Sequence, residues 1–284
     1  MVHFSGNGPA DRRPRWMVTG AGSGLGQAIA NAVIDRGDDV VVTARDTDRL
    51  RRLVDRAPDR VRAVALELSS PPDVEAVARD MSTVDVLVNN AGYGLMGAFE
   101  EAGDAQLREA FEANLFGALA LTRAVLPAMR ERGWGRVVQM SSIIGVTSGP
   151  GGAGYAGPKA ALEAMSDAIA AEVAPFGIHV TVVEPGAFRT DFSGRSLRLT
   201  EAMPAYEPII GAARDAFAAS HGTQRGDPER AASAIVEAVL SATPPRRLPL
   251  GADALAVLRR HYTDRLSELD DLPTGAGDTD LPAT

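Results

Sequence analysis

The chain contains no cysteine. That removes disulfides, thiolate nucleophiles and cysteine-ligated zinc, and it suits a reducing compartment, so a cytoplasmic location is expected. The four histidines, His3, His179, His221 and His261, lie far apart, and no pair has the spacing of a local metal site. No metal is expected. No apolar run approaches the roughly 20 residues that span a bilayer. The first fourteen residues carry glycine, proline and arginine but no apolar stretch of the secretory kind. Positive charge is in deficit: 29 Lys+Arg against 37 Asp+Glu leave a net charge of −8. Such a chain is a poor electrostatic partner for nucleic acid or an anionic membrane, and neither is expected to bind. Lysine is scarcest of all. Of the 29 basic side chains a single one, Lys159, is lysine. GC-rich coding explains an excess of arginine but not one surviving lysine. A compact ammonium with a titratable proton does chemistry that a guanidinium cannot, which makes Lys159 a candidate site residue.

What is present is a 284-residue chain, 45% hydrophobic, enough for a substantial core. Short β-branched runs alternate with longer amphipathic stretches. Strands are predicted at 16–19, 39–44, 61–68, 84–89, 135–141, 179–184 and 247–250. Helices are predicted at 25–36, 47–56, from Pro71 to about Ser82, at 106–132, 155–176 and 227–240, and from there after the last strand to Leu269. The nearly continuous apolar run Val84–Asn89 suits a parallel strand buried on both faces. The alternation predicts an α/β fold: a single-domain, Rossmann-type, doubly wound parallel sheet with helices on both faces. The domain is expected over 14–270, after a flexible segment 1–13 and before a disordered tail 271–284. Residues 188–226 read as irregular or short-helical, with the apolar content of a substrate lid.

At the first strand-to-helix turn stands Thr19-Gly20-Ala21-Gly22-Ser23-Gly24-Leu25-Gly26. Gly20, Gly24 and Gly26 permit a tight turn and close approach of backbone to a pyrophosphate, which the helix N-terminus then attracts. A glycine pattern alone is weak, since ordinary turns share it. Further motifs follow in order: Asn89-Asn90-Ala91-Gly92 after the fourth strand, Asn114 in the long helix, Ser142 after the fifth strand, Tyr155-x-x-x-Lys159, and Pro185-Gly186 with Thr190 after the sixth strand. Over residues 14–250 the chain resembles the short-chain dehydrogenase/reductase family.

That resemblance implies a dinucleotide cofactor and a tyrosine-based hydride-transfer site. Cofactor contacts are implied for Gly20, Ser23, Gly24, Leu25, Gly26, Arg45, Glu67, Leu68, Asn90, Ala91, Gly92, Tyr155, Lys159, Pro185, Gly186, Phe188 and Thr190. Glu67-Leu68 stands where the family has an aspartate and an apolar residue beside the adenine; Asn90 is expected on the adenosine side and Thr190 at the carboxamide. At the end of the second strand Ala44 replaces the acid that NAD enzymes of the family carry, and Arg45 follows. A guanidinium pairs with a 2′-phosphate in a fork, so NADP(H) is the expected cofactor. Asp46 beside it keeps NAD(H) open.

Catalysis is implied for Asn114, Ser142, Tyr155 and Lys159. An unperturbed phenol has a pKa of about 10, so its use near neutrality calls for a nearby fixed cation. Tyr155 and Lys159, four apart on a predicted helix, emerge on one face. Ser142 would hold the substrate oxygen, although Ser141 is an equal hydroxyl by composition. In the family, Asn114 sustains a water chain from the lysine. The expected activity is reduction of a ketone or aldehyde to an alcohol, or the reverse. An NAD-dependent alcohol dehydrogenase and a non-catalytic NADP(H)-binding regulator are the rivals. The substrate is expected to be a largely apolar small molecule, with Tyr93, Leu95, Met96, Ile143, Ile144, Val146 and apolar residues of 188–220 as candidate walls. Helices 106–132 and 155–176 imply a homodimer or homotetramer.

Overall fold

The computed structural model describes residues 12–273, with 275, 276 and 279. Most of the expected flexible segment and tail lies outside the described residues, but Arg12 and Arg13 are bonded to the body of the domain.

Seven parallel strands form one sheet in the order β3-β2-β1-β4-β6-β7-β9. They are β1 (Arg15–Val18), β2 (Asp39–Ala44), β3 (Val61–Ala65), β4 (Val86–Asn89), β6 (Gly135–Met140), β7 (Ile178–Pro185) and β9 (Arg247–Leu250). A second sheet is a parallel pair, β5 (Gly94–Met96) with β8 (Leu197–Leu199). The helices are α1 (Gly24–Asp35), α2 (Arg51–Arg56), α3 (Pro71–Ala78), α4 (Asp104–Phe111), α5 (Gly117–Arg132), α6 (Ala153–Val173), α7 (Glu207–Ala219), α8 (Pro228–Leu240) and α9 (Ala252–Asp270).

Side chains alternate across each strand, so β1 feeds two cores. Trp16 and Val18 point to one face and pack with Ile29 and Val33 of α1 and Ile235 of α8. Met17 points to the other, among Leu87 of β4 and Leu121 and Val125 of α5. Burying a side chain of this size contributes about 1.5–3 kcal/mol, and it is this two-sided burial that makes the strands read as unbroken apolar runs.

Several expectations are corrected. The third strand ends at Ala65, because Glu67 turns back to accept from the Ser69 N–H and hydroxyl. The helix expected at 106–132 is α4 and α5 joined by a π-helical turn, Glu112–Phe116, in which the Gly117 N–H reaches back to the Glu112 carbonyl. Segment 188–226 is more ordered than expected: it contributes β8 and the 13-residue α7. Helix α7 starts on Glu207-Pro208, where proline lacks nothing the helix needs, and continues through strong helix formers such as Ala212, Ala213 and Ala216.

Candidate active site

The carboxyl ends of β1, β2, β4, β6 and β7 open into one cleft of about 840 Å³. In doubly wound sheets this is where ligands bind. Every residue expected to contact cofactor lines it except Gly26. Of the four expected catalytic residues, Ser142, Tyr155 and Lys159 line it, and Asn114 lies one layer behind.

The glycine turn forms the floor. Gly20 and Gly24 have φ of 67° and 57°, left-handed values that glycine adopts without penalty. The turn is held from β4. The Thr19 hydroxyl accepts from the N–H groups of Asn90 (2.9 Å) and Ala91 (3.0 Å), and the Asn90 amide donates to the Thr19 carbonyl at 2.9 Å. Asn90 thus uses its side chain to fasten the turn, with Gly26 packed behind it, rather than extending it toward an adenosine. Thr190 lies over the start of α1, its Cβ against Gly24.

At the far end, Arg45 and Arg49 both line the cleft. Arg45 lies 3.7 Å from the Glu67 carboxylate in an exposed pair. Asp46 is committed locally: its carboxylate accepts from the Asp48 N–H at 3.0 Å. Arg49 was not singled out in the sequence. Its four-residue distance from Arg45 across a 3-10 turn is the signal that was there to read.

The opposite wall comes from β6 and α6. Ser142 follows β6; its hydroxyl accepts from the Ile144 N–H at 3.3 Å and hydrogen-bonds the Tyr155 phenol. Ser141, its neighbour, is buried facing the other way, toward α6. Lys159 is buried, with Nζ donating to the Met140 carbonyl at 2.6 Å and lying 5.7 Å from the centre of the Tyr155 ring. Burial lowers its pKa to about 8, while the Glu163 carboxylate one turn on pulls the other way. Burial also pushes the Tyr155 phenol up, and the Ser142 hydrogen bond only partly opposes this. This differs from the expectation of an acidified phenol. In the protein without cofactor, burial outweighs the Ser142 hydrogen bond and favours the protonated phenol.

Asn114 is the buried residue at the centre of the π turn. Its amide donates to the carbonyls of Tyr93 (3.0 Å) and Ala110 (2.9 Å), and its Oδ1 accepts from the Tyr93 N–H at 3.2 Å. Oδ1 also backs Gly92, where a Cβ would come within 2.4 Å of it. π turns of this kind are frequent at functional sites because they re-aim a side chain without ending the helix.

The mouth is bordered by the expected lid segment and by contacts that sequence reasoning did not place. Phe192, one of the expected wall residues, packs on Tyr155 with ring centres 5.6 Å apart and planes tilted by 44°. The pair β5–β8 ties the segment after Gly92 to the segment after Thr190. A carboxylate latch fixes α7: Glu101 accepts from the Ala98 and Met203 N–H groups, the Thr200 hydroxyl and the Arg214 guanidinium. Burial alone would raise its pKa, but these donors together hold it below the ordinary range. Asp253, in the first turn of α9, accepts from the Ala187 N–H at 2.7 Å and so fastens the Pro185-Gly186 loop. Of the apolar candidates, Tyr93, Leu95, Met96, Ile143, Ile144, Phe188, Phe192, Leu197 and Phe217 line the cleft, whereas Ile210 is in the core and Leu199 and Ile209 face outward.

The family model for short chain dehydrogenases matches residues 15–199. The chain belongs to the short-chain dehydrogenase family. An oxidoreductase of Botryotinia fuckeliana, BOA17, is 35% identical over 245 residues, covering 84% of this chain and 89% of its own. A crystal structure of a short-chain dehydrogenase from Streptomyces avermitilis superposes with a TM-score of 0.90 at 45% identity, covering 95% of this chain and all of the other. A short-chain dehydrogenase from Sphingobium yanoikuyae, solved in complex with NADPH, superposes at 0.69 with 26% identity, covering 92% of this chain and 97% of its own. This short-chain dehydrogenase is accordingly an oxidoreductase with a Rossmann-type fold. Among the described residues no helix is long and apolar enough to cross a membrane, and no cluster of His, Cys, Asp and Glu could hold a metal ion.

Proposed function

We propose that this short-chain dehydrogenase reduces a ketone or aldehyde to its alcohol with NADPH, Tyr155 serving as general acid. The observation that carries the reading is the cleft wall: the Tyr155 phenol, hydrogen-bonded to Ser142 and beside Lys159, faces the same cavity as the glycine turn and is kept protonated by burial.

The residues fit a dinucleotide. The left-handed glycines and the start of α1 offer N–H groups to a pyrophosphate. Gly92 is packed so closely on Asn114 that only a bare backbone passes there. Arg45 and Arg49 flank the end where a 2′-phosphate would lie, and Asp46 is tied to its own turn, which supports NADP(H) over NAD(H). The NADPH-bound relative adds to this. Pro185, Gly186 and Thr190 would hold the nicotinamide end. When bound, the cofactor supplies the hydride. The chain does the rest. Ser142 positions the carbonyl oxygen. As negative charge develops on that oxygen, the Tyr155 hydroxyl donates its proton to it. Lys159, in its ammonium form, favours the phenolate left behind. Asn114 keeps the Tyr93 backbone and Gly92 in place. Leu95, Met96, Phe192, Leu197 and Phe217 offer an apolar wall, which suits a substrate of some bulk.

The test follows NADPH absorbance against a panel of ketones and aldehydes. Turnover that survives undiminished in Tyr155→Phe would remove Tyr155 from its role. Tight NADPH binding with no turnover would favour a regulator, and a preference for NADH unaffected by Arg45→Ala would favour the NAD-dependent alternative. A cytoplasmic, homo-oligomeric enzyme is part of the same proposal. Phe116 at the start of α5 and Met165 on α6 are exposed and apolar, as a helix-on-helix contact between two copies requires. Light scattering checks the assembly.

A further inference from the structure

Behind Lys159, away from the cleft, lies a second polar cluster that the chemistry above does not use. Glu163, one turn further along α6, and Glu184, near the end of β7, are both buried, and their carboxyl groups lie within hydrogen-bond reach of each other. They share one cation. Arg247 of β9 donates to Glu163 and, at 3.3 Å, to Glu184; its other nitrogen is spent on Asp167 of α6 at 2.5 Å, where Arg246 also bonds. Tyr262 of α9 is near enough to feel these charges.

Two buried carboxylates and one guanidinium, already engaged by a third carboxylate, leave net negative charge in a dry place. Two like charges in contact cannot both ionise cheaply. A proton between them resolves this. Both glutamates are raised, Glu163 by burial and by the Asp167 charge against the Ser141 hydroxyl and Arg247, and Glu184 to about 7 by burial first and then by Glu163, with Arg247 opposing. The nearest group on the site side is Lys159, whose ammonium the Glu163 charge favours.

We propose that Glu163 and Glu184 hold one proton between them beneath Lys159, and that the anionic charge left on the pair keeps Lys159 protonated for its work on Tyr155. Both are positioning residues, acting through the lysine and touching neither substrate nor cofactor. The effect on turnover rests on the function proposed above; the shared proton does not. Glu163→Gln removes the anion nearest Lys159, so the lysine loses its proton at lower pH. Glu184→Gln removes the shareable proton but leaves Glu163 charged.

Two measurements test this. The first is difference infrared spectroscopy on cofactor-free enzyme, titrated across about pH 5 to 9. A protonated-carboxyl band that disappears as pH rises through neutrality, and that both variants lack near neutrality, is expected. Its absence from the wild type would overturn the proposal whatever the enzyme reduces. The second is the pH profile of carbonyl reduction. The alkaline limb should move to lower pH in Glu163→Gln, by about half a unit or more, and less in Glu184→Gln. A Glu163→Gln limb that coincides with the wild type would refute the coupling to Lys159, since lost packing lowers the rate without moving the limb. A wild type that shows the band but reduces nothing would instead count against the function and leave the carboxyl pair standing.

Discussion

The two ends of the sheet each bury carboxylates beside arginines, and they do opposite things with them. At the amino end, Asp85 precedes β4 and is fully buried. It accepts two bonds from Arg12 (2.5 and 3.0 Å) and one from the Arg15 N–H (2.8 Å), with Arg132 at 3.4 Å. One anion faces two cations and a backbone donor, and the cluster ties the chain's start to α5. At the carboxyl end, Glu163 and Glu184 divide one guanidinium. The first arrangement gives one carboxylate more donors than it needs and holds structure. The second sets two carboxylates on one guanidinium nitrogen, is short of positive charge, and so takes up a proton. The same residue types give an anchor or a titrating group according to the count of donors around them.

Substitutions at the two ends should separate accordingly. The largest effect falls at the site: Tyr155→Phe should slow carbonyl reduction by about a thousandfold, roughly 4 kcal/mol in the barrier, and leave the melting temperature near that of the wild type. A comparable loss of melting temperature would mean that the carboxyl end, too, carries stability. Next is the anchor. Asp85→Ala strands two arginines beside a buried position and should cost about 3 kcal/mol or more of unfolding free energy by urea titration, with turnover per folded molecule unchanged. Arg45→Ala should weaken NADPH by about twentyfold, close to 2 kcal/mol, while NADH binding stays put; equal losses for both cofactors would displace the 2′-phosphate from that position. Trp16→Phe removes the indole donor to the Asp38 carboxylate, a 3.2 Å bond within the core, and should cost about 1 kcal/mol.

A smaller effect concerns pH. Glu184 loses its proton at about 7 in the folded protein, above the ordinary carboxyl value. Between about pH 4.5 and 7 the folded state therefore holds a proton that the unfolded chain has released, and stability falls as pH rises through that window. Glu184→Gln should flatten thermal stability across it. A slope unchanged in the variant would assign the titration to another group.

What could be read from the sequence follows from the range of the forces involved. The parallel strands are visible because both faces are buried and the apolar run is continuous, as in Val86, Leu87 and Val88. Tyr155 and Lys159 are visible because four residues on one helix fix their geometry. Strands β5 and β8, three residues each, are too short for any periodicity, and their pairing is decided by segments about a hundred residues apart. Asn90 has the right place but a different task, since nothing local says that its amide is taken by the Thr19 carbonyl. Asp253 and the Glu163–Glu184 pair are assembled from separate elements, and no spacing within one element announces them.

The π turn under Asn114 has a further consequence. Because the Gly117 N–H closes on a carbonyl five residues back, this stretch carries one residue more than a regular α-helical path needs. Its protection lies in chain length rather than in composition. Deleting one neighbour of Asn114 between Glu112 and Phe116 would let the helix regain its ordinary pitch with α4 and α5 nearly in place, and would take away the wide turn that aims Asn114. The amide would leave the Tyr93 backbone it supports, although every remaining amino acid was still the native one.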